Sequence, residues 1–95
     1  MSVELTSVDY FVLNALLDDV ENADSIFGPY EGVPSRFTVQ EIEESLKKLV
    51  ASRLVERVEF DQESKTWERF ADYKKGHWFD LTKEGRTVAL QSSAK

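Results

Sequence analysis

The chain has no cysteine, a single histidine (His77), one methionine, two prolines and four glycines. Without cysteine it has neither disulfides nor thiolate metal ligands, and one imidazole is too few for the zinc-site, Ser-His-Asp and Cys-His patterns. P-loop, GxGxxG and GxSxG signatures are missing too. The expectation is a protein that is not an enzyme and has no catalytic residue, metal or cofactor. His77, between Gly76 and Trp78, reads as a strand residue near a turn. Long apolar runs are also lacking: Tyr10 to Leu13 is among the longest, against the roughly 20 residues that cross a bilayer. The start, Met1-Ser2-Val3-Glu4, carries no basic n-region. A cytoplasmic chain with no membrane partner is expected.

What is present suits a folded protein. The 95 residues are 41% hydrophobic, 32% charged and 12% aromatic, outside the disordered range. A chain of this length has room for one core, burying about 60–70% of its unfolded surface. We therefore expect one domain over 1–95: an acidic helical part (1–37), a helix-wing-helix part (38–91) and a frayed tail (92–95). The net charge is −6 and unevenly spread. Residues 1–35 hold Glu4, Asp9, Asp18, Asp19, Glu21, Asp24 and Glu31 with no Lys or Arg, so they carry −7, whereas the remainder carries +1. This asymmetry either orients the molecule on a basic partner or keeps it soluble.

Thr6 and Asp9 have capping-box spacing, and Val8, Phe11, Val12, Ala15, Leu16 and Val20 recur at helical spacing, predicting a helix over 7–21. Tyr10, Leu13 and Leu17 form a second apolar row on it. That row is either a dimer surface or further core. Residues 22–37 contain Gly28, Pro29, Gly32 and Pro34 and read as a loop, with room for one helical turn at 23–27. The acidic stretch from Asp18 does not fit an EF-hand, because Val20, Ala23 and Pro29 occupy its third, sixth and twelfth positions.

A further helix over 39–53 has the clearest signals. Thr38 and Glu41 form a capping box, Phe37 and Ile42 a hydrophobic staple, and Val39, Ile42, Leu46, Leu49, Val50 and Leu54 line one face. Leu54 to Phe60 then reads as a strand, Asp61 to Ser64 as a turn, His77 to Leu81 as another strand, and Thr82 as the cap of a helix from Lys83 to about Gln91. Between them, Trp67, Phe70 and Ala71 suit a helix, while Trp67, Arg69, Ala71 and Tyr73 suit a strand. Residues 62–76 stay undecided.

The order of elements predicts a mainly α fold with a small antiparallel β-hairpin or sheet (α+β). Leu46, Leu49 and Leu54-Val55-Glu56-Arg57 match an LxxLxxxGLVER-like run, and Leu81-Thr82-Lys83-Glu84-Gly85-Arg86 matches a YxLTxEGR-like start. Over Ser45 to Leu90 the chain thereby resembles winged-helix regulators of the MarR and PadR kinds. It departs in having Arg53 where the pattern has glycine, and a Gly/Pro-containing loop where those proteins have a compact helix-turn-helix. The matching residues are structural ones: Leu49, Leu54, Val58 and Leu81 as core, Thr82 as a cap, and Gly85 for close packing or a bend.

The resemblance implies binding of double-stranded DNA, with helix 39–53 in the major groove. Glu41, Glu43 and Glu44 oppose this, and residues 38–54 sum to zero charge. Lys47 and Lys48 lie within reach of glutamates on the same helix. The wing is the better nucleic-acid candidate, because Lys65, Arg69, Lys74 and Lys75 interleave with Trp67, Phe70, Tyr73 and Trp78. The candidate nucleic-acid residues are Lys47, Lys48, Arg57, Lys65, Arg69, Lys74 and Lys75. The alternative is a winged helix that docks protein, as a homodimer or with another chain, through Tyr10, Leu13, Leu17, Trp67 and Phe70. That reading expects an exposed apolar patch, whereas DNA binding expects a continuous basic face.

Overall fold

A computed structural model describes residues 4–28 and 37–93. Residues 29–36 of the expected loop over 22–37, with Pro29, Gly32 and Pro34, and the last two residues of the tail lie outside the described residues. The elements run α1 (Ser7–Asp18), α2 (Ala23–Phe27), α3 (Val39–Ala51), β1 (Val55–Asp61), β2 (Thr66–Phe70), β3 (Trp78–Leu81) and α4 (Lys83–Ser93). The architecture is α+β with a three-stranded antiparallel sheet, a winged-helix arrangement.

Helix α1 starts as expected, with the Asp9 carboxylate accepting the Thr6 backbone N–H at 2.8 Å. It stops at Asp18 instead of 21. Its last turn has no basic residue to complement the helix dipole. Asp19 turns extended and its Oδ1 accepts the Val20 N–H. The freed Glu21 backbone then exchanges two hydrogen bonds with Phe79, joining the N-terminal part to β3.

Helix α3 carries the expected capping box, with Glu41 N–H on Thr38 Oγ1 at 3.1 Å and Thr38 N–H on Glu41 Oε1 at 2.9 Å. It ends two residues early in a Schellman motif, in which Leu54 N–H bonds Leu49 O and Arg53 N–H bonds Val50 O. This closure puts Arg53 at φ 62°, a left-handed conformation. The glycine of the family pattern is thus a backbone requirement that arginine meets here with strain.

The core joins Val12, Leu13 and Leu16 of α1, Ile26 of α2, Ile42, Leu46 and Leu49 of α3, Val55, Phe79 and Leu81 of the sheet, and Ala89 of α4. At the β3–α4 junction, Thr82 donates its N–H to Leu54 O and its hydroxyl to Arg53 O, while Gly85 N–H bonds the Thr82 hydroxyl. Close packing is therefore the role of Gly85. A Cβ there would lie 1.8 Å from the Leu54 carbonyl oxygen.

The undecided segment holds a strand. β2 pairs with β1 from Asp61↔Thr66 to Arg57↔Phe70, and β3 pairs on the other side from Val58↔Trp78 to Val55↔Leu81, giving the order β2-β1-β3. The turn into β2 is fixed by Asp61, whose Oδ1 accepts Glu63 N–H, and by Lys65 at φ 60°. Both outer strands run the same way beside β1, so residues 71–77 must cross a face of β1. Asp72 on Arg57 and the Tyr73 ring stacked 5.6 Å from Phe79 place the crossing on the inner, core-side face.

Candidate functional site

Cross-strand neighbours share a face, so the register sorts the wing residues. The inner face carries Val55, Arg57, Glu59 and Asp61 of β1, Glu68 and Phe70 of β2, and Phe79 of β3. On the outer face are Glu56, Val58, Phe60, Trp67, Arg69, Trp78 and Asp80. Arg57 and Arg69 therefore stand on opposite sides of the sheet, and the wing has no continuous basic face through them.

Three of the seven candidate cations, Arg57, Arg69 and Lys48, are held by carboxylates of the chain itself. Arg57 is only 3% exposed. Its Nη2 lies 2.8 Å from Asp72 Oδ1, its Nη1 pairs with Glu59, and its guanidinium sits 4.2 Å from the centre of the Phe70 ring. This burial counts against Arg57 as a candidate for nucleic-acid contact. Arg69 bonds Glu56 at 2.7 Å, Asp80 at 3.1 Å and Leu81 O at 2.8 Å. Burial alone would lower its pKa, but the two carboxylates raise it.

Lys48 is not paired along its helix. Its Nζ donates to Asp9 Oδ2 at 2.7 Å and Glu4 O at 2.8 Å, while the Ser45 hydroxyl donates to Asp9 Oδ1 at 2.7 Å. Burial would raise the pKa of the Asp9 carboxyl, but Lys48, the Thr6 N–H and Ser45 together hold it below the ordinary aspartate value. This clamp ties α1 to α3 and lines a cleft of about 490 Å³ with Thr38, Glu41 and Glu44.

The remaining candidate lysines, Lys47, Lys65, Lys74 and Lys75, are exposed. Lys47 lies 5.7 Å from the centre of the Tyr73 ring, and Lys75 is 4.0 Å from Glu43. Burial, and then the Glu43 carboxylate, raise the pKa of the Tyr73 phenol. Lys74 acts on Asp72 from the crossover, and Lys65 stands at the hairpin tip. Lys47 of α3 and Lys75 of the crossover line one shallow cleft with Glu43, Glu44 and Tyr73, and the exposed side of α3 also shows Glu41.

Of the interface candidates, Leu13 is fully buried, which resolves that position as core and corrects its assignment to a surface. Leu17 is half-buried against the core, and Phe70 lies half-buried under Arg57. Tyr10 and Trp67 are exposed, at 37% and 46%. Trp67 belongs to a larger patch that the sequence reading did not assemble. Phe60 is its direct cross-strand neighbour, with ring centres 5.3 Å apart, and Trp78 lies across β1 beside Val58. Val58 is buried on this outer face, apart from the main core cluster to which it was assigned. Alternation of Val58 and Phe60 opposite Trp67 was the available signal.

Among the described residues, no group of three His, Asp or Glu side chains is placed to hold a metal, and no helix is long and apolar enough to cross a membrane.

The class that these elements define is the winged helix. Among solved structures the chain is similar to Lactococcus lactis ZitR, in a double mutant (TM-score 0.66) and two single mutants (0.68 each), at 17% identity. The matches cover 98–99% of this chain and 53–54% of the ZitR chains, so it spans about half their length. No family model and no curated protein matches it.

Proposed function

We propose that this chain is a cytoplasmic winged-helix module of the transcription-regulator kind that works through contacts with protein rather than by seating α3 in a duplex groove. The observation that carries this reading is the fate of the cations. Arg57, Arg69 and Lys48 satisfy carboxylates of the chain itself, and removing them from those partners would leave the carboxylates uncompensated. The exposed side of α3 offers Glu41 and Glu44 beside Lys47, a poor match for phosphate. Meanwhile Phe60, Trp67 and Trp78 expose apolar surface on one face of the wing. The regulator half of the reading draws on the motif resemblance and on the scaffold shared with ZitR.

Duplex DNA binding is the second reading, favoured by the resemblance of the Leu46–Arg57 and Leu81–Arg86 runs to winged-helix regulators and by the exposed Lys47, Lys65, Lys74 and Lys75. Under it, Lys74→Ala with Lys75→Ala weakens binding and reduces its salt slope. Fluorescence anisotropy with mixed-sequence duplex at low and near-physiological salt separates the two. Protein-contact function gives weak binding with a shallow slope. Tight binding that falls by a log–log slope of about −0.9 for each of several phosphates would overturn it.

A further inference from the structure

We infer that the outer edge of β2 is a docking site for an extended, basic peptide segment of alternating pattern, which adds to the sheet as a further strand. This rests on the protein-contact reading above and names the partner's chemistry. β2 is the end strand of the order β2-β1-β3, and its residues from Thr66 to Arg69 are all exposed. Among the described residues its outer edge pairs with no strand, so it offers main-chain donors and acceptors to an added one.

The two faces flanking that edge differ. The outer face presents Trp67 against Phe60, with Trp78 beyond, each 41–46% exposed. On the inner face, Glu68 lies directly opposite Glu59, and Asp61 stands diagonally next to it. Like charges placed directly across strands repel. Arg57 and His77 approach Glu59, and Arg57 is already shared with Asp72. Arg69, the cation on the outer side of β2, is taken up by Glu56 and Asp80.

A strand added to β2 would place one residue opposite Trp67 on the aromatic side and the next opposite Glu68 on the acidic side. An apolar residue suits the first position and Lys or Arg the second. Patch size separates this occupant from a second copy of the chain. The three aromatics leave roughly 300 Å² exposed together, on the order of a functional patch. A stable dimer needs about 800 Å² from each partner. A single strand gains its affinity from backbone pairing and needs less side-chain area.

The test titrates the whole chain with a short peptide of alternating valine and lysine, followed by tryptophan fluorescence, since Trp67 and Trp78 report on this face. The controls are the same peptide with central residues replaced by proline, single-stranded DNA, and the duplex DNA of the preceding section. We expect saturable peptide binding, weakened about tenfold or more by proline, by Trp67→Ala and by Glu68→Gln, with circular dichroism unchanged in both variants. Equal binding of the proline peptide would reduce the effect to charge attraction and overturn the proposal. So would Trp67-dependent binding of single-stranded DNA, or a dimer that Trp67→Ala makes monomeric. Failure to bind either peptide or duplex overturns the β2 site alone, whereas steeply salt-dependent duplex binding overturns the protein-contact reading itself.

Discussion

Replacing Gly85 by alanine will destabilise the protein, although glycine-to-alanine changes inside helices ordinarily stabilise. The ordinary gain is about 1 kcal/mol of helix propensity. Against it, the new Cβ would meet the Leu54 carbonyl oxygen at 1.8 Å and its carbon at 2.8 Å. Carbon–oxygen contacts settle at roughly 3.3 Å or more, so the first turn of α4 must withdraw by about 1.5 Å. The Leu54 carbonyl is backbone and also accepts the Thr82 N–H, while the Thr82 hydroxyl holds Arg53 O. Overpacking costs about 1–3 kcal/mol, and the two strained hydrogen bonds about 1 kcal/mol each. The net loss is about 2–4 kcal/mol, or a Tm lower by roughly 10–25 °C for a chain of this size. Thermal and urea unfolding followed by circular dichroism measure it. A Tm equal to or above that of the parent would refute the seating of α4 on the α3–β1 turn.

At the other side of the same junction, Arg53→Gly will stabilise by about 0.5–1 kcal/mol, because φ 62° suits glycine; an unchanged or lower urea midpoint would contradict this. Asp9→Asn removes the carboxylate that Lys48 and Ser45 share and will cost about 2–3 kcal/mol, at the modest end because Lys48 is partly exposed. The folded-state pKa of Asp9 is depressed, so its contribution is present above the unfolded aspartate pKa and is lost as pH falls through the folded one. The parent and Asn variant will therefore converge in stability below about pH 4; a gap that stays constant into acid would reject the clamp. Leu13→Glu will abolish the folded far-ultraviolet spectrum, since it puts a charge at a position with 0% exposure; a folded monomer that merely loses a dimer would return Leu13 to the surface.

Elements with local signals could be read from the chain. Thr38, Glu41, Phe37 and Ile42 lie within a few residues of each other and marked the start of α3, and Thr82 marked that of α4. Features set by distant partners could not. The Thr6–Asp9 spacing predicted a cap, yet Ser45 and Lys48 reach the same carboxylate from α3. Trp67 and Ala71 fitted a helical and a strand periodicity at once, and pairing with β1 decided for the strand. For Arg57 a signal was present: two residues from the buried Val55 in a strand, it shares the inward face. What covers it there, the crossover through Asp72 and Tyr73, has no local signature. The acidic and aromatic sides of β2 likewise follow only once Glu68 is set opposite Glu59 and Trp67 opposite Phe60.

The most direct single measurement is a set of amide chemical-shift titrations of the labelled chain with mixed-sequence duplex DNA and with the alternating basic peptide. The expected result is peptide-induced shifts centred on Thr66 to Phe70 with their neighbours Glu59 and Phe60, and no saturable duplex-induced shifts along Gln40 to Lys47. Saturable shifts along α3 with duplex, and none in β2 with peptide, would contradict the proposal that this winged helix offers its wing to protein instead of seating α3 in a groove.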